Sequence, residues 1–144
     1  MSYIRSEILI CGGTGCHSNK SNILINEIKK ELKENGLDQE VRVVQTGCFG
    51  LCSAGPIVVV YPEETYYSHV KPEDAKDLVQ EHFVKGRPLA RILFKTGADE
   101  IKKQSFTDTK FYQQQHRIAL KNCGNIDPEN IDEYLAYRGY EALQ

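Results

Sequence analysis

Four of the five cysteines fall into two close pairs, Cys11 with Cys16 and Cys48 with Cys52. Each pair follows a short run of apolar and β-branched residues, Glu7 to Ile10 in the first case and Val41, Val43 and Val44 in the second. Such runs read as strands, and Cys11-Gly12-Gly13 and Thr46-Gly47-Cys48 then read as the loops at their C-terminal ends. If the two strands are parallel neighbours, both loops come to one edge of a sheet. A parallel pair needs a crossover, normally right-handed. The stretch between them supplies one: Leu24, Ile28 and Leu32, with Ile25 alongside, recur at helical spacing, while Lys29, Lys30, Lys33 and Glu34 fall mostly on the wet side. This helix is expected from Ser18 to Asn35-Gly36, where glycine takes the left-handed turn.

Further along, Ile57 to Tyr61 is a continuous apolar run and predicts a third strand. Pro62-Glu63-Glu64 marks a turn, and Thr65 to Ser68 pairs back as a hairpin partner. Pro72 opens a second helix, with Glu73 and Asp74 at the positive end of its dipole, an apolar face of Ala75, Leu78, Val79 and Phe83, and a stop at Gly86. The order β-α-β-β-β-α predicts an α/β fold, a small mixed sheet with two helices that resembles the thioredoxin-like fold. That unit is expected to span residues 1–86, followed by a linker over 87–109 and by short helices in 110–144. Lys110 to Asn122 and Pro128 to Tyr137 read as those helices, with Asp127 as N-cap of the second. They are too short to enclose a core of their own.

At 144 residues the chain is the size of about one domain. Its 18 basic and 20 acidic residues give a formal charge of −2, which argues against nucleic-acid binding. No apolar run approaches the roughly 18 residues of a membrane helix, so membrane insertion is not expected. Ile8 to Ile10 is too short for a signal-peptide core. The expected location is the cytoplasm, where thiols stay reduced and cysteines serve as ligands, catalysts or buried apolar groups rather than disulfides.

Four thiolates converging on one sheet edge can hold a tetrahedral zinc ion or an iron–sulfur cluster. Structural zinc sites favour two residues between paired cysteines, whereas the gaps here are four and three, as a broader two-iron object would require. Neither pair is the Cys-x-x-Cys of a dithiol redox enzyme. His17 beside Cys16 invites a mixed histidine–cysteine ligand set, but the second loop has no histidine. Gly12, Gly13, Gly15, Gly47, Gly50 and Gly55 would let backbone amides approach the sulfurs. Phe49, Leu51 and Ile57 would shield the site from water. A zinc-stabilised interaction domain and a free thiol-redox protein are the competing readings.

The segments Cys11-Gly-Gly-Thr-Gly-Cys16 and Thr46-Gly-Cys48-Phe-Gly-Leu-Cys52-Ser-Ala-Gly-Pro56 resemble the thioredoxin-like [2Fe-2S] ferredoxin module, over roughly residues 6 to 86. That module occurs free and within NADH dehydrogenase and bifurcating-hydrogenase subunits. The resemblance implies that Cys11, Cys16, Cys48 and Cys52 bind one [2Fe-2S] cluster, as a low-potential one-electron carrier with no catalytic site of its own. The tail, Gln115-His-Arg-Ile-Ala-Leu-Lys-Asn-Cys-Gly124 with Ile126-Asp-Pro-Glu-Asn-Ile-Asp-Glu-Tyr134 and Gly139-Tyr-Glu-Ala-Leu143, is similar to the opening of the flavoprotein subunit of those complexes. This implies an N-terminal piece of such a subunit, with FMN and NAD(P)H sites only in a downstream domain. The implied partners are other iron–sulfur or flavin subunits of a redox complex; a homodimer is also compatible with the sequence.

Several residues carry plainer readings. Cys123 lies far from both pairs in sequence and is expected to be a structural or terminal-domain thiol. His17, His69, His82 and His116 share no ligand-like spacing and read as ordinary surface or satisfied histidines. Gly12 to Ser21 is not a phosphate loop, because Thr14 and Asn19 stand where its two required glycines belong. Asn19-Lys20-Ser21 spells a glycosylation acceptor, which has no meaning in the cytoplasm. Tyr134, Tyr137 and Tyr140 are expected on a packed helix face.

Overall fold

The computed structural model describes residues 4–95 and 113–143. Its strands are β1 (Ser6–Cys11), β2 (Val41–Thr46), β3 (Val58–Tyr61) and β4 (Thr65–Tyr67), and its helices are α1 (Thr14–Ser18), α2 (Ser21–Glu34), α3 (Ala75–Leu78) and α4 (Ile131–Ala136). The four strands form one sheet in the order β2-β1-β3-β4. β1 and β2 are parallel, with Ser6 opposite Val41 and Cys11 opposite Thr46. The β1–β3 and β3–β4 pairs are antiparallel. This is the mixed sheet that the order of the elements predicts.

Alternation along the strands splits the core into two layers. Ile8, Ile10, Val58, Val60 and Tyr67 pack against Leu24, Ile28 and Leu32 of α2 and against Leu78 and Phe83. Leu9, Cys11 and Val59 point the other way, into a second cluster with Val44, Cys16, Phe49 and Ile57. Both faces are covered, which is why β1 and β3 read as continuous apolar runs.

The single helix expected from Ser18 is two helices. The Asn19 backbone and side-chain amides both donate to the Gly15 carbonyl, at 3.2 and 2.9 Å, and close α1. Lys20 then takes a left-handed φ of 68° before α2 begins. After β4 the second helix region is also composite. It runs from a 3-10 turn (Pro72–Asp74) through α3 into a π-helical stretch (Val79–Val84).

Residues 87–94, the start of the expected linker, lie along the sheet. Ile92 is buried, Leu93 bridges antiparallel to Tyr67, and the Phe94 amide donates to the Tyr66 carbonyl at 2.9 Å. Arg91 pins this stretch through Asp74 and, at 2.7 Å, Asp77. The remainder of that linker from residue 96, and residues 110–112 of the helix expected after it, lie outside the described residues.

In place of the rest of that helix, the described chain from residue 113 is mostly turns up to Asn130. Ile118 and Leu120 are exposed, so neither contributes the tertiary packing that would hold a helix there. The last helix starts later than expected and is capped by Asn130, not Asp127. The Asn130 Oδ1 accepts from the Asp132 and Glu133 amides, whereas the Asp127 Oδ1 takes up the Glu129 amide. Tyr134, Tyr137 and Tyr140 are largely exposed and not packed into a core. Tyr134 and Tyr140 instead pack edge to face, with centroids 5.1 Å apart.

His82 is a satisfied buried histidine. The Tyr67 hydroxyl accepts from the Leu89 amide at 3.2 Å and shares a 2.6 Å hydrogen bond with His82 Nδ1. On the other side of the ring, Nε2 lies 3.9 Å from the Glu63 carboxylate. Burial pushes the Tyr67 phenol up to about 12, and burial holds His82 below its ordinary value despite Glu63. Unfolded, the histidine protonates near 6.5. The folded state thus binds fewer protons below that pH, and the stability this group contributes is present above about 6.5 and lost as pH falls through it toward the lower folded value. In urea unfolding followed by circular dichroism between pH 5 and 8, the wild type should lose stability on acidification more steeply than His82→Gln. Parallel curves would show that His82 titrates normally in the fold.

Candidate metal centre

The register of β1 and β2 builds the site. Cys11 is the last residue of β1, opposite Thr46, and the Gly12 amide continues the ladder to the Thr46 carbonyl at 2.9 Å. The first loop leads into α1, which carries Cys16. The second loop leaves β2 through Gly47 to Cys48 and reaches Cys52 at the start of a 3-10 turn (Cys52–Ala54). The structure therefore brings all four sequence-predicted cysteines to one edge of the sheet.

The thiols form two couples. Cys11 interacts with Cys16, and Cys48 with Cys52, while Cys52 also feels Cys11. A point just off the Gly13 Cα, where a side chain would begin, lies 2.9 Å from the Cys48 Sγ and 3.6 Å from the Cys11 Sγ, so sulfurs from both loops flank it. The corresponding point at Gly55 is 2.7 Å from the Cys16 Sγ. At both positions a methyl group would fall where sulfur already stands. Among the described residues, no group of three or more His, Cys, Asp or Glu side chains is arranged to hold a metal ion.

Burial is graded across the site. Cys11 and Cys16 are buried with Phe49 and Ile57, Cys48 and Leu51 are half-buried, and Cys52 is exposed. Burial raises the Cys11 thiol to about 11, against backbone amides of Phe49 and Gly13 that donate toward its sulfur. The neighbouring Cys48 raises the exposed Cys52. The Gly50 amide donates to the Cys48 Sγ at 3.3 Å. The donor set is thus four soft sulfurs in two couples, with amides aimed at two of them. It fits a two-iron cluster, in which each iron takes two thiolates.

One set of residues around the centre is missed by the sequence reading. The tail packs on the second loop. Cys123 sits against Gly47, its Sγ 2.5 Å from where a Gly47 side chain would begin. The buried Thr46 hydroxyl accepts from the Gly124 amide at 2.9 Å and donates to the Ile126 carbonyl at 3.2 Å. Arg117 donates to the Cys48 carbonyl at 3.1 Å and to the Cys123 carbonyl at 3.4 Å. On β2, Arg42 pairs with Glu133 and, at 3.5 Å, with Asp127; its Nε faces Glu7 at 2.8 Å without hydrogen-bond alignment. The contacts between the tail and β2 or its loop join residues about 70 to 90 positions apart, beyond the reach of any local pattern. Cys123 bears on the cysteine loop through this packing against Gly47.

A thioredoxin-like sheet with four cysteines at the end of its parallel pair defines an iron–sulfur module. The family model for the thioredoxin-like [2Fe-2S] ferredoxin matches residues 4–82, and the chain belongs to that family, whose cofactor is a [2Fe-2S] cluster. A 2Fe-2S ferredoxin of Clostridium pasteurianum is 42% identical over 77 residues, which are 54% of this chain and 76% of that protein. The crystal structure of the thioredoxin-like [2Fe-2S] ferredoxin from Aquifex aeolicus superposes with a TM-score of 0.59 at 26% identity, covering 65% of this chain and 99% of that one. The NADP-reducing hydrogenase subunit HndC of Solidesulfovibrio fructosivorans is 64% identical over 31 residues, 22% of this chain but only 6% of that subunit.

The two glycine positions give a steric test. Gly55→Ala drives a methyl into the Cys16 sulfur, whereas at Gly15, inside α1, the added methyl meets Cys52 at 3.6 to 3.7 Å, an ordinary contact. Reconstituted Gly55→Ala should hold less than half the wild-type iron and sulfide per chain, and Gly15→Ala should hold the full amount. Equal loading of the two variants would contradict the close-packed cradle.

Proposed function

We propose that this chain is a one-electron carrier that holds a single [2Fe-2S] cluster on Cys11, Cys16, Cys48 and Cys52. The observation that carries the reading is the meeting of two cysteine couples at the end of one parallel strand pair, with backbone amides directed at their sulfurs. When bound, the cluster supplies a one-electron couple and, with four thiolates, a net charge of about −2 before reduction. The chain's own groups set its environment. Amides of Gly13, Phe49 and Gly50 favour added negative charge at the sulfurs, and buried Phe49 and Ile57 keep water from the inner side. The exposed Cys52 and Ser53 form the edge at which a partner exchanges electrons.

The setting we propose is a multi-subunit NAD(P)H-linked oxidoreductase of the cytoplasm, such as an electron-bifurcating hydrogenase. Its other iron–sulfur or flavin subunits would be the partners. The similarity to HndC and the resemblance of the tail to a flavoprotein subunit support this. Residues 1–86 are then the ferredoxin unit and 110–144 the start of a flavoprotein domain, with FMN and NAD(P)H bound downstream. Among the described residues no helix is long and apolar enough to cross a membrane.

Anaerobic redox titration followed by electron paramagnetic resonance should give one electron per chain at low potential. Cys48→Ser should lose the signal and visible absorbance, and Cys123→Ser should keep both. A colourless wild-type protein carrying one zinc ion per chain would overturn the proposal.

A further inference from the structure

We infer that Arg117 is a positioning residue for the cysteine centre and sets the potential at which it accepts an electron. The inference rests on the proposed cluster ligation by Cys48. It goes further by assigning a role to the tail, which lies beyond residues 4–82 that define the family.

Three observations place this side chain. Its guanidinium spans two carbonyls, that of Cys48 itself at 3.1 Å and that of Cys123 at 3.4 Å, joining the second cysteine loop to the tail. The same loop is anchored at its root, where Thr46 bonds to Gly124 and Ile126 and Cys123 packs on Gly47. Beyond that, Arg42 fixes the following stretch through Asp127 and Glu133. The segment from Arg117 to Glu133 is thus a strap laid over Thr46–Phe49, and Arg117 is the cationic group that it delivers to the backbone of a ligand cysteine.

The physical consequence has a definite sign. Arg117 is half-buried and brings a guanidinium cation to the loop. A fixed cation beside a site that gains one negative charge favours the reduced state, so Arg117 raises the midpoint potential. The electron comes from the external donor, and no bond or proton moves on Arg117. The guanidinium fork also holds the Cys48 carbonyl in place, so a lysine, with charge but no fork, only partly substitutes for it.

The test uses the full chain, with iron and sulfide content measured beside the midpoint potential of wild type, Arg117→Gln and Arg117→Lys. We expect Arg117→Gln to load its cluster and titrate at a more negative potential. At the wild-type midpoint its reduced-to-oxidised ratio should be lower by about fivefold, the size of a unit charge screened by a partly wet loop. Arg117→Lys should fall between. Loss of iron in Arg117→Gln with retention in Arg117→Lys would also support the inference, because it makes the cation itself necessary. Full loading with an unchanged midpoint in Arg117→Gln overturns it. Loss of iron in both variants overturns it too, since Arg117 would then be a folding residue. A wild-type chain that binds no iron would instead defeat the underlying ligand assignment.

Discussion

The parallel pairing of β1 with β2 is the constraint on which the remaining arrangement depends. Its register sets Cys11 opposite Thr46, so both strands end together and both cysteine loops start from one rung. A slip of one residue would turn Cys11 to the helix layer and expose Ile10 to the other side. Helix α2 makes the pairing possible, because a parallel crossover must return over the sheet and bury its stripe there. The antiparallel β3 and β4 then close the other side of β1, and Gly55 and Pro56 bring the chain back past Cys16.

The two layers of the core do different work. The helix side is apolar, apart from buried polar groups such as the Tyr67–His82 pair, and its task is stability. The other side holds the sulfurs, Phe49 and Ile57, and the tail adds its polar clamps along that edge. Thr46 shows how the two parts are joined. One buried hydroxyl uses both its acceptor and donor capacity on the tail, and leaving those backbone groups unpaired would cost about 1–3 kcal/mol each. The loop bearing Cys48 is therefore held at its root by Thr46 and, through Arg117, at Cys48 itself.

Much of this was legible in the sequence because it rests on local pattern. The strand runs, the Leu24–Ile28–Leu32 stripe and the cysteine spacing each report a periodicity or a chemical type. The break at Asn19–Lys20 was not, since it turns on an asparagine bonding back to Gly15 and a lysine in a left-handed conformation. The π-helical stretch Val79–Val84 carries the same apolar spacing as an ordinary helix and so gives no separate signal. The described part of the helix expected over Lys110 to Asn122 is absent for a different reason. That segment is organised by hydrogen bonds to a loop far away in the chain, and its Ile118 and Leu120 side chains stay exposed. Arg42 carries no local pattern of its own in the sequence, yet it gathers carboxylates from β1 and from the tail.

The central claim is that two loops at one strand edge place their thiolates on a shared pair of irons. Iron K-edge X-ray absorption of the purified full chain addresses it directly, because scattering from sulfur and scattering from a second iron are separate shells. The account predicts an all-sulfur first shell and a clear iron–iron shell. A metal surrounded by four sulfurs with no metal neighbour would contradict it.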